Sequence, residues 1–171
     1  MIIADSREKN IAHILKYFDK HGIEYTVRKL DVGDYMIDGQ PDVVVDRKQS
    51  LGEMTVNMFS KDKARFYREI RRAREQGIRL IILCEQGRKF HNITDVAHWT
   101  NKYSRVSGPR LADAIFKLEM GYGVETYFCE KQQTGRRIIE LLTGNDGKGG
   151  HAEHEHRQKN DSDGQADGVG D

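Results

Sequence analysis

Asp34, Asp46 and Lys48 are the residues of this chain whose types and spacing could do chemistry. Asp34 opens the run DYMID and Asp46 closes the run DVVVD, with a turn-like GQP between them, so a hairpin would bring the two carboxylates together. Two carboxylates at close range repel and raise one another's pKa unless a cation or a proton lies between them. Mg²⁺ or Mn²⁺ suits such a pair, because these ions take an open oxygen shell of a few carboxylates completed by water and phosphate oxygens. Lys48 follows Asp46 by two residues and shares its face by the period of a strand, whereas Arg47 points to the other face. An ammonium there could orient an attacking water, help deprotonate it and balance charge developing on phosphorus. The same residues have a plainer reading. Asp34 caps a turn, and Asp46 and Lys48 form a surface ion pair where a strand leaves the core.

The elements that must position these groups follow from periodicity. MIIAD reads as a strand, KNIAHILKYFDKHG as an amphipathic helix ending at Gly22, and IEYTVRKL as a strand of period two. DYMID and DVVVD form the hairpin, a helix starts at Ser50, and a second covers DKARFYREIRRAREQG with Phe66, Ile70 and Ala73 on one face. IRLIILCEQ reads as a fully buried strand, and residues 87 to 109 as a long polar loop around Trp99. RLADAIFKLEMGYG, VETYFCE and TGRRIIELL then read as helix, strand and helix. The order βαβββααβαβα implies an α/β sandwich, a mixed sheet with helices on both faces.

The length of 171 residues and the 37% hydrophobic content fit one core, placed at residues 1–143. From Gly144 the chain is dense in Gly, Asp, His and Gln and is expected to be disordered. His151, His154 and His156 are read as part of a solvated tail rather than as metal ligands. That tail holds three basic and seven acidic residues, against 25 basic and 20 acidic in the rest, so a net charge of +1 hides a modestly basic globular part. Such a part is compatible with a polyanionic partner. No apolar run reaches the roughly 18 to 20 residues of a membrane span, and the start lacks a leader pattern, so a soluble intracellular protein is expected. Cys84 and Cys129 each lie in an apolar run and read as reduced core thiols. Residues 61–75 carry seven basic and three acidic side chains. This face could neutralise DNA phosphates, through Arg65, Arg68 and Arg72 among others, or be a solvated helix with internal pairs such as Arg71 with Glu75.

ADSRE, GDYMIDGQP and VVVDRK, in that order, resemble the nuclease domain of the XPF family of structure-specific endonucleases, within the PD-(D/E)xK superfamily. The family pattern is D-x-R-E, then G-D, a variable hairpin, and E-R-K followed after three residues by an acid. SGPRLADAIFKLEMGYGVETYFCEKQQTGRRIIELL also resembles the end of stand-alone domains of this type in bacteria and their mobile elements. The resemblance implies a restriction-endonuclease-like fold and an endonuclease using Mg²⁺ or Mn²⁺ on branched, flapped or forked DNA in repair or recombination. Asp34 and Asp46 would be metal ligands, with the Arg47 carbonyl, and Lys48 the positioning cation. Arg7 would contact phosphate or brace the carboxylates, and Glu8 would aid the metal through water or pair with a lysine. Two departures stand out. Asp46 replaces the usual Glu, and Gly52 stands where the trailing acid belongs, with Glu53 one residue late. Ser50-Leu51-Gly52-Glu53 fits a capping box, so Glu53 is read first as a helix cap and second as a residue supporting the metal. Family members usually add a helix-hairpin-helix module and pair through the nuclease domain. Nothing here resembles that module, so DNA must be gripped by the domain itself, a dimer mate or another partner. A catalytically silent relative that binds DNA or positions a partner nuclease is the rival reading.

Overall fold

Ile2, Ile3 and Ala4 are all buried, so the strand they form has no face for water. In the computed structural model, which describes residues 1–145, this strand lies inside a mixed sheet. The polar tail, including His151, His154 and His156, lies outside the described residues apart from Gly144 and Asn145. Among the described residues the strands are β1 (Ile2–Asp5), β2 (Tyr25–Arg28), β3 (Tyr35–Ile37), β4 (Gln40–Lys48), β5 (Arg79–Glu85) and β6 (Glu125–Cys129), in the spatial order β2-β1-β3-β4-β5-β6. β1 runs parallel to β2, β3 is antiparallel to both β1 and β4, and β4, β5 and β6 are mutually parallel.

The helices are α1 (Ala12–Lys20), α2 (Leu51–Phe59), α3 (Lys63–Glu75), the single turn α4 (Ile93–Val96), α5 (Gly108–Tyr122) and α6 (Thr134–Leu142), with a short 3-10 turn at Lys131–Gln133. They cover both faces of the sheet. On one, Met54, Phe66, Ile70 and Leu111 pack on Val44, Leu80 and Ile82. On the other, Ile14, Phe18, Ile138 and Leu141 pack on Val45, Ile81 and Leu83. Complete burial of each such side chain stabilises the fold by about 1.5–3 kcal/mol. β1 and β5 are nearly continuous hydrophobic runs because neither of their faces meets water.

Three boundaries differ from the reading of the sequence. IEYTVRKL pairs only over Tyr25–Arg28, because it is an edge strand with a single neighbour. The hairpin turns at Asp38-Gly39 rather than at GQP. Gly39 supplies the left-handed residue (φ 77°), and Gln40-Pro41 is already strand, where a proline near the start is tolerated. DVVVD does not end at Asp46, since β4 continues through Arg47 and Lys48 alongside β5. The loop after β5 contains α4, whose Asn92 and Asp95 form a reciprocal capping box, and it drops Trp99 into the core. Cys84 and Cys129 are free and buried. No helix among the described residues is long and apolar enough to cross a membrane.

Candidate active site

Asp34 is fixed by the backbone before its side chain is considered. Gly33 has φ 63°, and a Cβ there would stand 2.2 Å from Val44 Cγ1, so only glycine fits the approach to β4. The Gly33 amide donates to Glu69 Oε1 (2.9 Å), which ties this turn to α3. The Asp34 amide donates to Val45 O (2.9 Å), its carbonyl accepts from Asp5 N (2.7 Å), and its Oδ2 accepts from Arg47 N (2.8 Å). Asp34 is therefore held between β1 and β4, next to Asp46.

Asp46, Arg47 and Lys48 do not emerge from the protein. They are 6%, 2% and 8% exposed, which overturns the surface ion pair. Lys48 Nζ donates to Asp46 Oδ1 at 2.7 Å and stands 5.5 Å from the centre of the Phe66 ring. Burial, and next the charge of Asp46, push the Asp34 carboxyl well above its usual range, and the two carboxyls lie close enough to share a hydrogen bond. Burial disfavours the Lys48 ammonium, but Asp46 and Asp34 together outweigh that and raise its pKa. In the cation-free site these carboxylates favour the protonated, hydrogen-bond-donating form of Lys48.

A raised carboxyl binds its proton more tightly folded than unfolded. Without a cation, Asp34 therefore costs stability as pH rises from the unfolded value of 3.8 through the raised one. Asp34→Asn is expected to raise the melting temperature in EDTA at neutral pH by about 2–4 °C, the equivalent of about 1 kcal/mol in a chain of this size. Differential scanning fluorimetry checks it, and an unchanged or lower melting temperature would contradict it.

Arg47 leaves by the opposite face and is the centre of a second buried cluster. Its Nε and Nη2 donate to Glu85 Oε1 (2.8 Å) and Oε2 (3.1 Å), and its Nη1 donates to Glu8 Oε2 (2.7 Å) and Lys9 O (3.2 Å). Nη2 also reaches Asn10 O (3.4 Å), on a residue with φ 57°. Glu85 Oε1 further meets His13 Nε2 (2.6 Å) and accepts from Thr134 Oγ1 (2.8 Å). Burial would raise the Glu85 carboxyl, yet the bonds from Arg47, Thr134 and His13 hold it below its usual range. Burial does raise Glu8, because Arg47 offsets it only in part. The motif thus faces two ways, with Asp46 and Lys48 toward a cleft and the Arg47 guanidinium tying β4 to β5 and to the loop after β1, while Glu85 reaches on to Thr134 of α6.

The cleft in front is about 350 Å³, floored by Asp34, Asp46 and Lys48, with Glu53 and Asn57 of α2 on one wall and Arg65 and Glu69 of α3 on another. Residues 4–142 match the ERCC4 domain family. The chain belongs to that family. Solved structures that share the fold of this ERCC4 domain include two of one archaeal protein. XPF from Aeropyrum pernix superposes with a TM-score of 0.63 at 17% identity, over 86% of this chain and 65% of that one. The same protein in complex with DNA gives 0.64 at 18% identity, over 85% and 64%. The chain therefore spans somewhat under two thirds of the length of those structures. No curated protein matches its sequence. The XPF resemblance and the restriction-endonuclease-like α/β architecture read from the sequence are both found.

The ERCC4 domain distributes the other expected site residues unevenly. Arg7 borders the cleft but does not brace Asp34 or Asp46. Its Nε and Nη2 clamp Asp5 (both 2.8 Å), and Nη2 also donates to Leu30 O (2.7 Å). Glu8 pairs with Arg47 and accepts from Tyr35 Oη (3.4 Å), not with a lysine. Glu53 caps α2. Its amide donates to Ser50 Oγ (3.2 Å), while its carboxylate accepts from Gln49 N (2.7 Å), one residue earlier than a standard capping box, and the residue still borders the cleft. Arg65 borders the cleft, Arg68 is exposed, and Arg72 is turned to Asp31 O (3.0 Å). No ion pair joins Arg71 to Glu75 among the described residues. Glu85, His13, Thr134 and Glu69 went unnoticed in the sequence. Only Glu85 carried a signal, a charge closing the buried run LIILCE much as Asp46 closes VVVD.

No three His, Cys, Asp or Glu side chains among the described residues form a ready metal cage. The available donors are the two carboxylates. Among the described residues no N–H donor reaches Asp34 Oδ1 or Asp46 Oδ2, since Arg47 N and Lys48 Nζ bind the other oxygens. An all-oxygen, incomplete donor set whose charges repel fits a hard divalent cation that keeps water and phosphate ligands.

Proposed function

We propose that this ERCC4 domain is a metal-dependent endonuclease that hydrolyses phosphodiester bonds in DNA, with branched, flapped or forked DNA as substrate, acting inside the cell in repair or recombination. The observation that carries the reading is the buried juxtaposition of Asp34, Asp46 and Lys48 on the floor of an open polar cleft. A structural ion pair needs no second carboxylate beside it, and crowding Asp34 against Asp46 costs stability that a purely structural site would avoid. That a protein of this fold has been solved with DNA supports the choice of polymer.

In this reading Asp34 and Asp46 hold Mg²⁺ or Mn²⁺. The bound ion would supply Lewis-acid stabilisation of the crowded phosphorus centre and a more acidic water. The chain's own residues do the rest. Lys48, kept protonated by its carboxylate neighbours, donates a hydrogen bond that orients the attacking water and balances charge on the phosphate. Arg65 and the half-exposed Arg7 attract the flanking phosphates. Glu53 holds the start of α2 and so the cleft wall, and Arg47 keeps the strand tip from shifting. Pairing of two copies through α5, where Phe116 and Met120 stand exposed one turn apart, belongs to the same proposal and is read from the mass in solution.

The test uses end-labelled flap, fork and linear DNA with Mg²⁺, Mn²⁺ or EDTA. Strand breaks that need the cation and favour a branched substrate are expected. Binding of these DNAs with no break on any of them would instead favour the silent scaffold, which the glycine at position 52 in place of an acid keeps in view.

A further inference from the structure

The loop entering α5 carries a surface that the catalytic reading leaves unused. Residues 100–110, TNKYSRVSGPR, contain three basic residues and no acidic one. Lys102, Arg105 and Arg110 are exposed, and none of them makes an ion pair among the described residues. Between them Tyr103 is 86% exposed, the most exposed large apolar or aromatic side chain among the described residues. Lys102 Nζ stands 4.9 Å from the centre of its ring, which leaves the opposite ring face open. The segment thus presents an exposed aromatic ring between cations that no carboxylate neutralises. It matches the combination by which single strands are held, a base stacked on an aromatic ring and phosphates met by cations.

The segment is held in place rather than trailing. Trp99 anchors it in the core, Tyr103 N donates to Asn101 Oδ1 (2.9 Å), Ser104 N to Asn101 O (3.1 Å) and Val106 N to Ser104 Oγ (3.1 Å). Its position is fixed against α2 at both ends. A Cβ on Gly52 would lie 3.6 Å from Asn101 Nδ2, and the Arg110 guanidinium stands 5.0 Å from the Phe59 ring centre. α2 therefore has the cleft on the side of Glu53 and Asn57 and this segment along another. Val56, 61% exposed, also borders the cleft.

We propose that residues 100–110 are a second DNA-contacting surface that holds an unpaired strand beside the cleft, with Tyr103 stacking on a base and Lys102, Arg105 and Arg110 neutralising its phosphates. A duplex cannot use the ring in this way, because its bases are already stacked, so the surface favours substrates with a single-stranded arm. The proposal deepens the DNA-endonuclease reading and rests on it for where the reacting phosphate lies.

The experiment measures fluorescence-anisotropy binding of a labelled oligothymidylate of about 20 nucleotides and of a blunt duplex to the full chain in EDTA, where no cation supports cutting. Tyr103→Ala is expected to weaken single-strand binding about 5- to 100-fold and to lower the ratio of single-strand to duplex affinity. The triple variant Lys102→Ser, Arg105→Ser, Arg110→Ser is expected to flatten the dependence of log K on log salt for the single strand by about 2. All four positions are exposed, and unchanged melting temperatures verify that the variants fold. Single-strand binding equal to wild type in either variant overturns the proposal, as does a loss shared equally with the duplex or a wild type that binds no single strand. The two readings fail separately. A chain that cuts DNA but shows no effect of these variants loses only the second surface, whereas one that shows the effect and never cuts DNA loses only the nuclease.

Discussion

Lys48→Ala lowers the rate of cation-dependent DNA cleavage by about 10²–10³-fold while DNA affinity stays within a few fold, the loss seen when one positioned donor is removed from a developing anion. The expectation follows from where Lys48 points. Its ammonium is 8% exposed by residue, bonded to Asp46 at 2.7 Å and aimed into the cleft, so it acts at the reacting centre and adds little to the attraction of distant phosphates. The same substitution leaves Asp34 and Asp46 facing each other with no cation between them, so in EDTA its melting temperature falls, opposite in sign to that of Asp34→Asn. Single-turnover kinetics with a labelled flap, paired with anisotropy binding, separates the two effects. Equal cleavage by the variant and the wild type would remove Lys48 from the site. Lys48→Arg restores the charge but not the compact point donor, and recovers only part of the rate.

Arg47→Met destabilises the fold by about 3–5 kcal/mol, the cost of breaking a buried ion pair from one side. Glu85 and Glu8 would each lose their principal charge partner in a place largely shielded from water. In a chain of this size the loss corresponds to a fall of about 10–15 °C in melting temperature. The double variant Arg47→Met, Glu85→Gln is expected to recover part of it, because the stranded carboxylate goes with the guanidinium. Urea titrations of the single and double variants check both points, and a midpoint for Arg47→Met equal to wild type would contradict the buried cluster. Since Glu85 is held below its usual pKa, the part of stability it contributes is complete above about pH 4.5 and is lost as pH falls through the lower folded value.

Much of the frame was legible in the sequence because it depends on local pattern. Three valines, the run LIILC and the spacing of Phe66, Ile70 and Ala73 each announce burial by composition or period, and the structure buries those three helix residues against the sheet. The closeness of Asp34 and Asp46 was legible too, since a hairpin fixes which ends meet. The length of β4 was not. DRK looks like an exit to solvent, and what keeps it in the sheet is spread over Asp34, Phe66, Glu85 and Glu8, residues up to 39 positions away from the charges they satisfy. The same holds for Arg72, which spends its guanidinium on the Asp31 carbonyl of a distant turn. Electrostatic partnership across strands leaves no periodic trace.

The central claim is that Asp34 and Asp46 hold the cation on which cutting depends. Its most direct test is the cleavage rate of one labelled flap as a function of Mn²⁺ or Mg²⁺ concentration, for the wild type and for Asp34→Ala and Asp46→Ala. The wild type is expected to show a saturating rise, and both variants to lose cleavage by about 10³-fold or more with no saturation in the same range. Saturation at the same cation concentration and comparable rate in either variant would show that the ion is held elsewhere.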